Sequence, residues 1–395
     1  MGGSSSPYKI NVDGVIGPEI NNLEIGANDS VYVFVQVYIN QNANNLPFIV
    51  RDSIQVSYNG KNRLVQLQAF GQNAHFFSNK EIAANETWIN DLPYVILGSL
   101  VIDPNTSLTI NKGCRIYVHA DAPIIVDGTL LINGQKDTID RVYIQGDRLD
   151  DPYKDFPAGW PGIFFRTTSK DNVFNYAVIR NAYRAIAMLD PASNANPKLT
   201  FNECVIDNAY DAGIITINSS INARNCLISN CGKNIFLTKG GNYQFTHCTV
   251  ASYSNNFILH KDSVLSVFDF DLGNPSMILP LSATFRNCIF WGENGTVTNE
   301  VGIYKKNTLN TVTFDTVLWK VQSNPPGATV SGAVNQNPLF DSINVSKNYY
   351  NFRLKSSPVL SPAIDKGANT TVTIDLDGKT RPLGLKPDLG CFEKQ

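Results

Sequence analysis

VIRNAYRA at residues 178–185 returns as VIDNAYDA at 205–212, identical at six of eight positions after a shift of 27. Self-similarity at such a step marks a stacked repeat fold. A shorter template recurs around it in FNECVI (201–206), ARNCLI (223–228), FTHCTV (245–250) and FRNCIF (285–290). FNYAVI (174–179) and FDTVLW (314–319) fit the same template, with Ala177 and Val317 in place of the cysteine. Cys204, Cys226 and Cys248 are spaced 22 and 22 residues apart. That is the length of one turn of a right-handed parallel β-helix, three short strands and three corners. One coil cannot bury its inner face alone, so neighbours must stack about 4.8 Å apart. The step of 40 from Cys248 to Cys288 then predicts one coil plus an insertion, assigned to SVLSVFDFDLGNPSMILP (263–280).

The composition agrees with an all-β chain. Charged residues make up 17% of 395, and Asn, Thr, Ser, Gly, Val and Ile are plentiful while stretches rich in Ala, Leu, Glu and Lys are missing. A net charge of −2 gives no basic footprint for nucleic acid. No apolar run reaches the roughly 18–20 residues of a membrane helix, and the stretch MGGSSSPY (1–8) is not a charged-then-apolar leader, so any leader is expected to have been removed from this numbering. Any membrane attachment is expected through a lipid anchor absent from this numbering.

Ahead of the repeats, DSVYVFVQVYIN (29–40) alternates with period two, and DSIQVSYNGKNRLVQLQAFGQ (52–72) reads as a hairpin turning at Asn59 and Gly60. The expected organisation is a flexible spacer or added remnant at 1–6, a small β-sandwich at 7–78, a β-helix of about ten coils at 79–340, and a C-terminal coil and cap at 341–395. The cap is expected to cover the unpaired strand groups of the last coil.

The segment YVILGSLVIDPNTSLTINKGCRIYVHADAPIIVDGTLLINGQ (94–135), followed by GDRLDDPYKDFPAGWPGIFF (146–165), resembles the opening of right-handed parallel β-helix repeat proteins of the Bacteroidetes envelope. The tail, with NPLF, SPAIDKGAN and DLDGKTRPLGLKPDLGCFE, is similar to the C-terminal module that ends many of them. The strand pattern of the sandwich at 7–78 resembles the immunoglobulin-like modules that precede such β-helices. The resemblance implies a place in the cell envelope, as an outer-membrane lipoprotein or a secreted protein.

Stacking the repeats puts Cys204, Cys226, Cys248 and Cys288 in one inward row and Cys231 beside Ala209 and Tyr253. Each stands where another copy has an ordinary residue, CxxC knuckles are absent, and a ladder aims side chains in parallel. Buried free thiols are therefore expected rather than zinc or disulfides. Asn181, Asn208 and Asn230 align at a corner, where Asn tolerates left-handed backbone. Arg180 is expected over Asp207, and Arg184 over Asp211.

The best candidate site is the irregular loop 146–162, with Asp147, Arg148, Asp150, Asp151, Tyr153, Lys154, Asp155, Phe156 and Trp160. Long loops on rigid scaffolds often carry binding, and aromatic rings with carboxylates and guanidinium suit sugars. The competing reading is a brace, with Trp160 and Tyr153 packed on the coil wall and the charges tied internally. Calcium is considered at DLDG (375–378) and at Asp269 with Asp271, although the full calcium loop is missing. Lys239 and Lys261, read as stacked neighbours, are the nearest approach to the basic spot of a polysaccharide lyase. A hydrolase would need converging carboxylates, and no catalytic residue or metal ligand is assigned. The expectation is a non-catalytic scaffold that binds a polysaccharide or an envelope protein through the helix wall and the 146–162 loop. The alternative is a lyase or glycoside hydrolase acting on an acidic polysaccharide.

Overall fold

The computed structural model describes residues 2–39 and 48–394. Their regular structure is strand, apart from 3-10 turns at Gly3–Ser5, Tyr153–Asp155 and Val345–Lys347. The chain divides into two compact units, Met1–His75 and Phe76–Gln395.

In the first unit Tyr8–Val12 pairs antiparallel with Val15–Gly17 and Val33–Val37. Phe48–Tyr58 and Lys61–Gly71 form the expected hairpin, with Asn59 and Gly60 at positive φ in its turn. The inward face expected from the period-two run is open: Val33 and Val35 are 42% and 43% exposed. Asn40, which ends that run, lies outside the described residues. Val12 is the one buried apolar side chain among the unit's described residues, whose named strands lie in two separate sheets. Residues 2–6, expected as a spacer, are tied down where the Gly2 N–H donates to the Asp52 carboxylate at 3.0 Å.

The second unit is a parallel β-helix. One ladder stacks Tyr94, Ile116, Ile144, Ile179, Ile206, Ile228, Val250, Phe290 and Trp319 in register. A second stacks Leu100, Ile124, Ile163, Ile186, Ile214, Ile235, Leu265 and Val301. A third stacks Trp88, Ile110, Ile132, Phe174, Phe201, Ala223, Phe245, Phe285 and Phe314. All are buried. β-branched and aromatic side chains fill these rows because each packs on its own kind one rung away. Phe245, Phe285 and Phe314 illustrate this, with ring centroids 5.4 and 5.1 Å apart.

Each coil turns through residues held at positive φ. Tyr176, Glu203, Asn225, His247, Asn287 and Thr316 form one such row, and Asn181, Asn208 and Asn230 another. The 27-residue register holds: Arg180 pairs with Asp207 along the strand, and Arg184 Nε donates to Asp211 Oδ2 at 2.6 Å. All seven cysteines are free and buried.

The insertion is placed differently from the expectation. Leu265–Phe268 is a coil strand in register with Ile235–Leu237 and Val301–Tyr304. The extra residues leave the coil on either side of it, at 254–264 and 269–280. Lys239 consequently falls beside Phe270, to whose carbonyl its N–H donates at 3.2 Å, and not beside Lys261.

The tail also departs from the expected end cap. The hairpin of Phe340–Asn344 and Tyr349–Leu354 and the residues after it pack along the outer side of the first ladder. Leu376, Leu389, Cys391 and Phe392 share one apolar cluster with Val178, Val205, Ile289 and Leu318. Those outward-facing wall residues are apolar, so burial is gained along the flank.

Candidate binding groove

Trp160 begins a coil strand and decides how the 146–162 loop sits. Its indole is fully buried and donates from Nε1 to the Arg180 carbonyl at 2.8 Å. The loop then crosses the asparagine corner. Asn181 Nδ2 donates to the Lys154 carbonyl at 2.6 Å, Asn208 Nδ2 to the Asp155 carbonyl at 3.0 Å, and the Gly159 N–H to the Asn181 carbonyl at 2.8 Å. The corner therefore anchors the loop.

Most charged candidates of the loop satisfy one another. Arg148 makes two 2.8 Å hydrogen bonds to the Asp150 carboxylate and lies 3.9 Å from the Tyr153 ring centroid. Its hydrogen bonds hold the Asp150 carboxyl below its usual range. Lys154 Nζ pairs with Asp151 at 2.6 Å, and Asp147 meets His119 Nδ1 at 2.6 Å, which raises that imidazole. Tyr153 packs on Phe156 at 5.3 Å and Phe156 on Phe257 at 5.0 Å. Asp147, Arg148, Asp150, Asp151, Tyr153 and Trp160 are thus engaged in holding the loop, while Lys154 and Asp155 also face outward as one wall of a groove.

That groove has a volume of about 480 Å³. Its floor is the outer side of the first ladder, where Arg180, Asp207 and Ser229 follow one another on successive coils. Asn181, Asn208 and Asn230 form its corner, and Asn255 and the hairpin residues Asn348, Tyr349, Tyr350 and Phe352 its far side. Asp207 Oδ1 accepts from Ser229 Oγ at 2.7 Å and Asn230 Nδ2 at 3.3 Å. Arg180 is exposed, and its carbonyl and strand pairing are used while its guanidinium has no partner among the described residues. Asn208 is 7% exposed, and its Oδ1 receives no hydrogen bond although its Nδ2 donates to Asn181 Oδ1 at 2.9 Å. A buried acceptor left without a donor costs about 1–3 kcal/mol. Burial raises the Tyr350 phenol, keeping it neutral.

The hairpin side of the groove has no signal in the loop sequence. NYYNF (348–352) carries the aromatic and amide residues concerned, but its place beside Asp207 depends on packing between distant segments.

The carboxylates considered for calcium are occupied by protein donors. Asp269 accepts from the Lys306 and Asn307 N–H groups and from Asn310 Nδ2, each within 2.8–3.0 Å. Asp271 pairs with Lys239 at 3.1 Å. Asp375 accepts from the N–H groups of Asp377, Lys379 and Glu393, and Asp377 is clasped by Arg353.

Fold and groove together define an all-β parallel β-helix protein with a polar groove on its wall. Comparison with family models, with curated proteins and with solved structures gives no match to this chain.

Proposed function

We propose that this protein is a non-catalytic scaffold of the cell envelope that binds a glycan in the groove between the 146–162 loop and the C-terminal hairpin. The observation that carries the reading is the exposed guanidinium of Arg180, unengaged among the described residues, in a groove also lined by Lys154, Asp155, Asp207, Asn181 and Asn230. A polyhydroxylated chain suits this mixture of donors and acceptors, since each hydroxyl donates and accepts. The envelope location rests on the resemblance of segments 94–165 and of the tail to Bacteroidetes β-helix proteins, and the immunoglobulin-like character of the first unit on the resemblance of the strand pattern at 7–78 to the modules that precede such helices.

The test is isothermal titration of the full chain against a panel of neutral and acidic polysaccharides, with absorbance at 235 nm and reducing-end release recorded in parallel. Binding without product, weakened by Arg180→Ala at unchanged thermal midpoint, is the expected result. Product from any substrate would replace the scaffold by the lyase or hydrolase reading. Binding that Arg180→Ala leaves intact would move the ligand out of this groove.

A further inference from the structure

Beyond the asparagine corner the two copies of the repeat carry a tyrosine each. Tyr183 and Tyr210 pair through the Tyr210 N–H to Ala182 carbonyl and the Asp211 N–H to Tyr183 carbonyl bonds, both 2.9 Å. Their rings stack with centroids 5.9 Å apart and 27° between planes. They are nevertheless 42% and 51% exposed, so the stack stands on the outside of the wall. Neither hydroxyl is needed to place the rings.

The stack stops for a structural reason. On the next coil the position in register with Tyr210 is Gly232, whose N–H donates to the Ala209 carbonyl at 3.0 Å. A Cβ on Gly232 would come within 2.3 Å of the Tyr210 carbonyl oxygen and 2.7 Å of the Asp211 carbonyl oxygen. The backbone approaches too closely for any side chain, and the rung above Tyr210 carries none.

Polar groups border this bare rung. Asp211 accepts from Arg184 Nε at 2.6 Å and pairs with Lys233 Nζ at 3.0 Å. Burial works against the Asp211 anion, but Arg184 and Lys233 hold its pKa below the ordinary value. Arg184 spends Nε on this bond, and its guanidinium carbon lies 5.6 Å from the Tyr183 ring centroid. A flat aromatic face beside a fixed carboxylate, guanidinium and ammonium offers an apolar surface together with donors and acceptors for hydroxyls.

We propose that the Tyr183–Tyr210 stack is a second glycan subsite, in which one pyranose ring occupies the rung over Gly232 and continues the stack on Tyr210. A ring with equatorial hydroxyls suits it best, because its C–H bonds point to both faces and its hydroxyls to the rim, towards Asp211, Arg184 and Lys233. β-1,4-linked glucose and xylose units have this form. The inference rests on the glycan reading of the groove and adds a point of contact on the other side of the asparagine corner.

The experiment titrates the full chain with cellohexaose, xylohexaose and β-1,4-galactohexaose, whose units carry the linkage oxygen axially at C4 and so crowd one ring face. Wild type, Tyr210→Ala, Tyr210→Phe and Arg180→Ala are compared, with thermal midpoints measured for each. The expected result is binding of cellohexaose or xylohexaose in preference to galactohexaose, weakened about tenfold or more by Tyr210→Ala, roughly 1.4 kcal/mol. Tyr210→Phe, which keeps the ring face, should stay within about twofold of wild type. Wild-type affinity in a folded Tyr210→Ala variant overturns the subsite; loss in Arg180→Ala alone then leaves the groove as the sole site. Failure of cellohexaose and xylohexaose to bind wild type also overturns the subsite, while the wider polysaccharide panel judges the groove separately.

Discussion

Arg184 and Asp211 are 27 residues apart in sequence and one coil apart in space, joined by a 2.6 Å hydrogen bond that Lys233 extends to the coil after. The bond reports the register of three coils. Because the Arg184 side chain is 40% exposed, solvent screens the pair. A double-mutant cycle with Arg184→Ala and Asp211→Ala, read by urea unfolding, should give a coupling of about 0.2–1 kcal/mol. A coupling of zero would mean that strand pairing alone holds the register.

Trp160 and Arg180 are predicted to separate stability from binding. Trp160 is wholly buried at the root of the loop, so Trp160→Ala should cost about 3–5 kcal/mol in unfolding experiments. Arg180→Ala should leave the unfolding midpoint within about 0.5 kcal/mol of wild type while weakening glycan binding.

His247 gives a pH signature. Burial, and then Arg381, whose Nη1 lies 2.5 Å from Nδ1, push the imidazole down to about 2. The folded state therefore keeps His247 neutral at pH values where the unfolded chain, with an ordinary pKa of about 6.5, takes up a proton. Stability should fall as pH drops below that value. His247→Asn, an exchange for the residue found at Asn225 and Asn287 in the same positive-φ row, should flatten the slope between pH 6.5 and 4. Equal slopes in the two proteins would show that the drop comes from other groups.

Arg381 is buried with Glu393 at 3.0 Å and donates to the Asp388 and Gly390 carbonyls. Arg381→Leu strands the Glu393 carboxylate in the interior and should cost about 3–5 kcal/mol. Limited proteolysis should then release the tail before it cuts the coils. Adding Glu393→Gln should recover part of the loss, and a double variant no better than the single would assign the cost to the lost carbonyl bonds.

The thiols should be inert in the native protein. Burial raises Cys204 and Cys231 far above the ordinary value and puts Cys114 at about 11 and Cys391 at about 12. A thiol reagent should label none of the seven until denaturant is added. Labelling of Cys391 alone would instead report opening of the tail.

How much was legible depended on whether a feature repeats. The coil register could be read because VIRNAYRA and VIDNAYDA place the same inward Ile and corner Asn on two rungs, and the structure pairs Ile179 with Ile206. LSVF at 265–268 was hidden by the 22-residue spacing, because the corner before it is longer and alternation alone does not tell a coil strand from an excursion. Trp160 could be read as a wall anchor or a sugar platform from its sequence, and burial settles it as an anchor. The hairpin side of the groove was not legible at all. Tyr350 reaches the neighbourhood of Asp207 through packing across more than a hundred residues, for which the sequence carries no period.

The flank-bound tail also measures the stack. Asn225 Nδ2 donates to the Ile374 carbonyl, His247 meets Thr370 Oγ1 and the Asp388 carbonyl, and Asn287 exchanges hydrogen bonds with Ala368. These three residues come from the same corner of successive coils, so one continuous segment is satisfied only if all three rungs are correctly spaced. A coil slipped by a residue would leave the tail with polar groups it could neither pair nor expose. The last part of the chain thus serves as a gauge that locks onto a helix already wound in the right register.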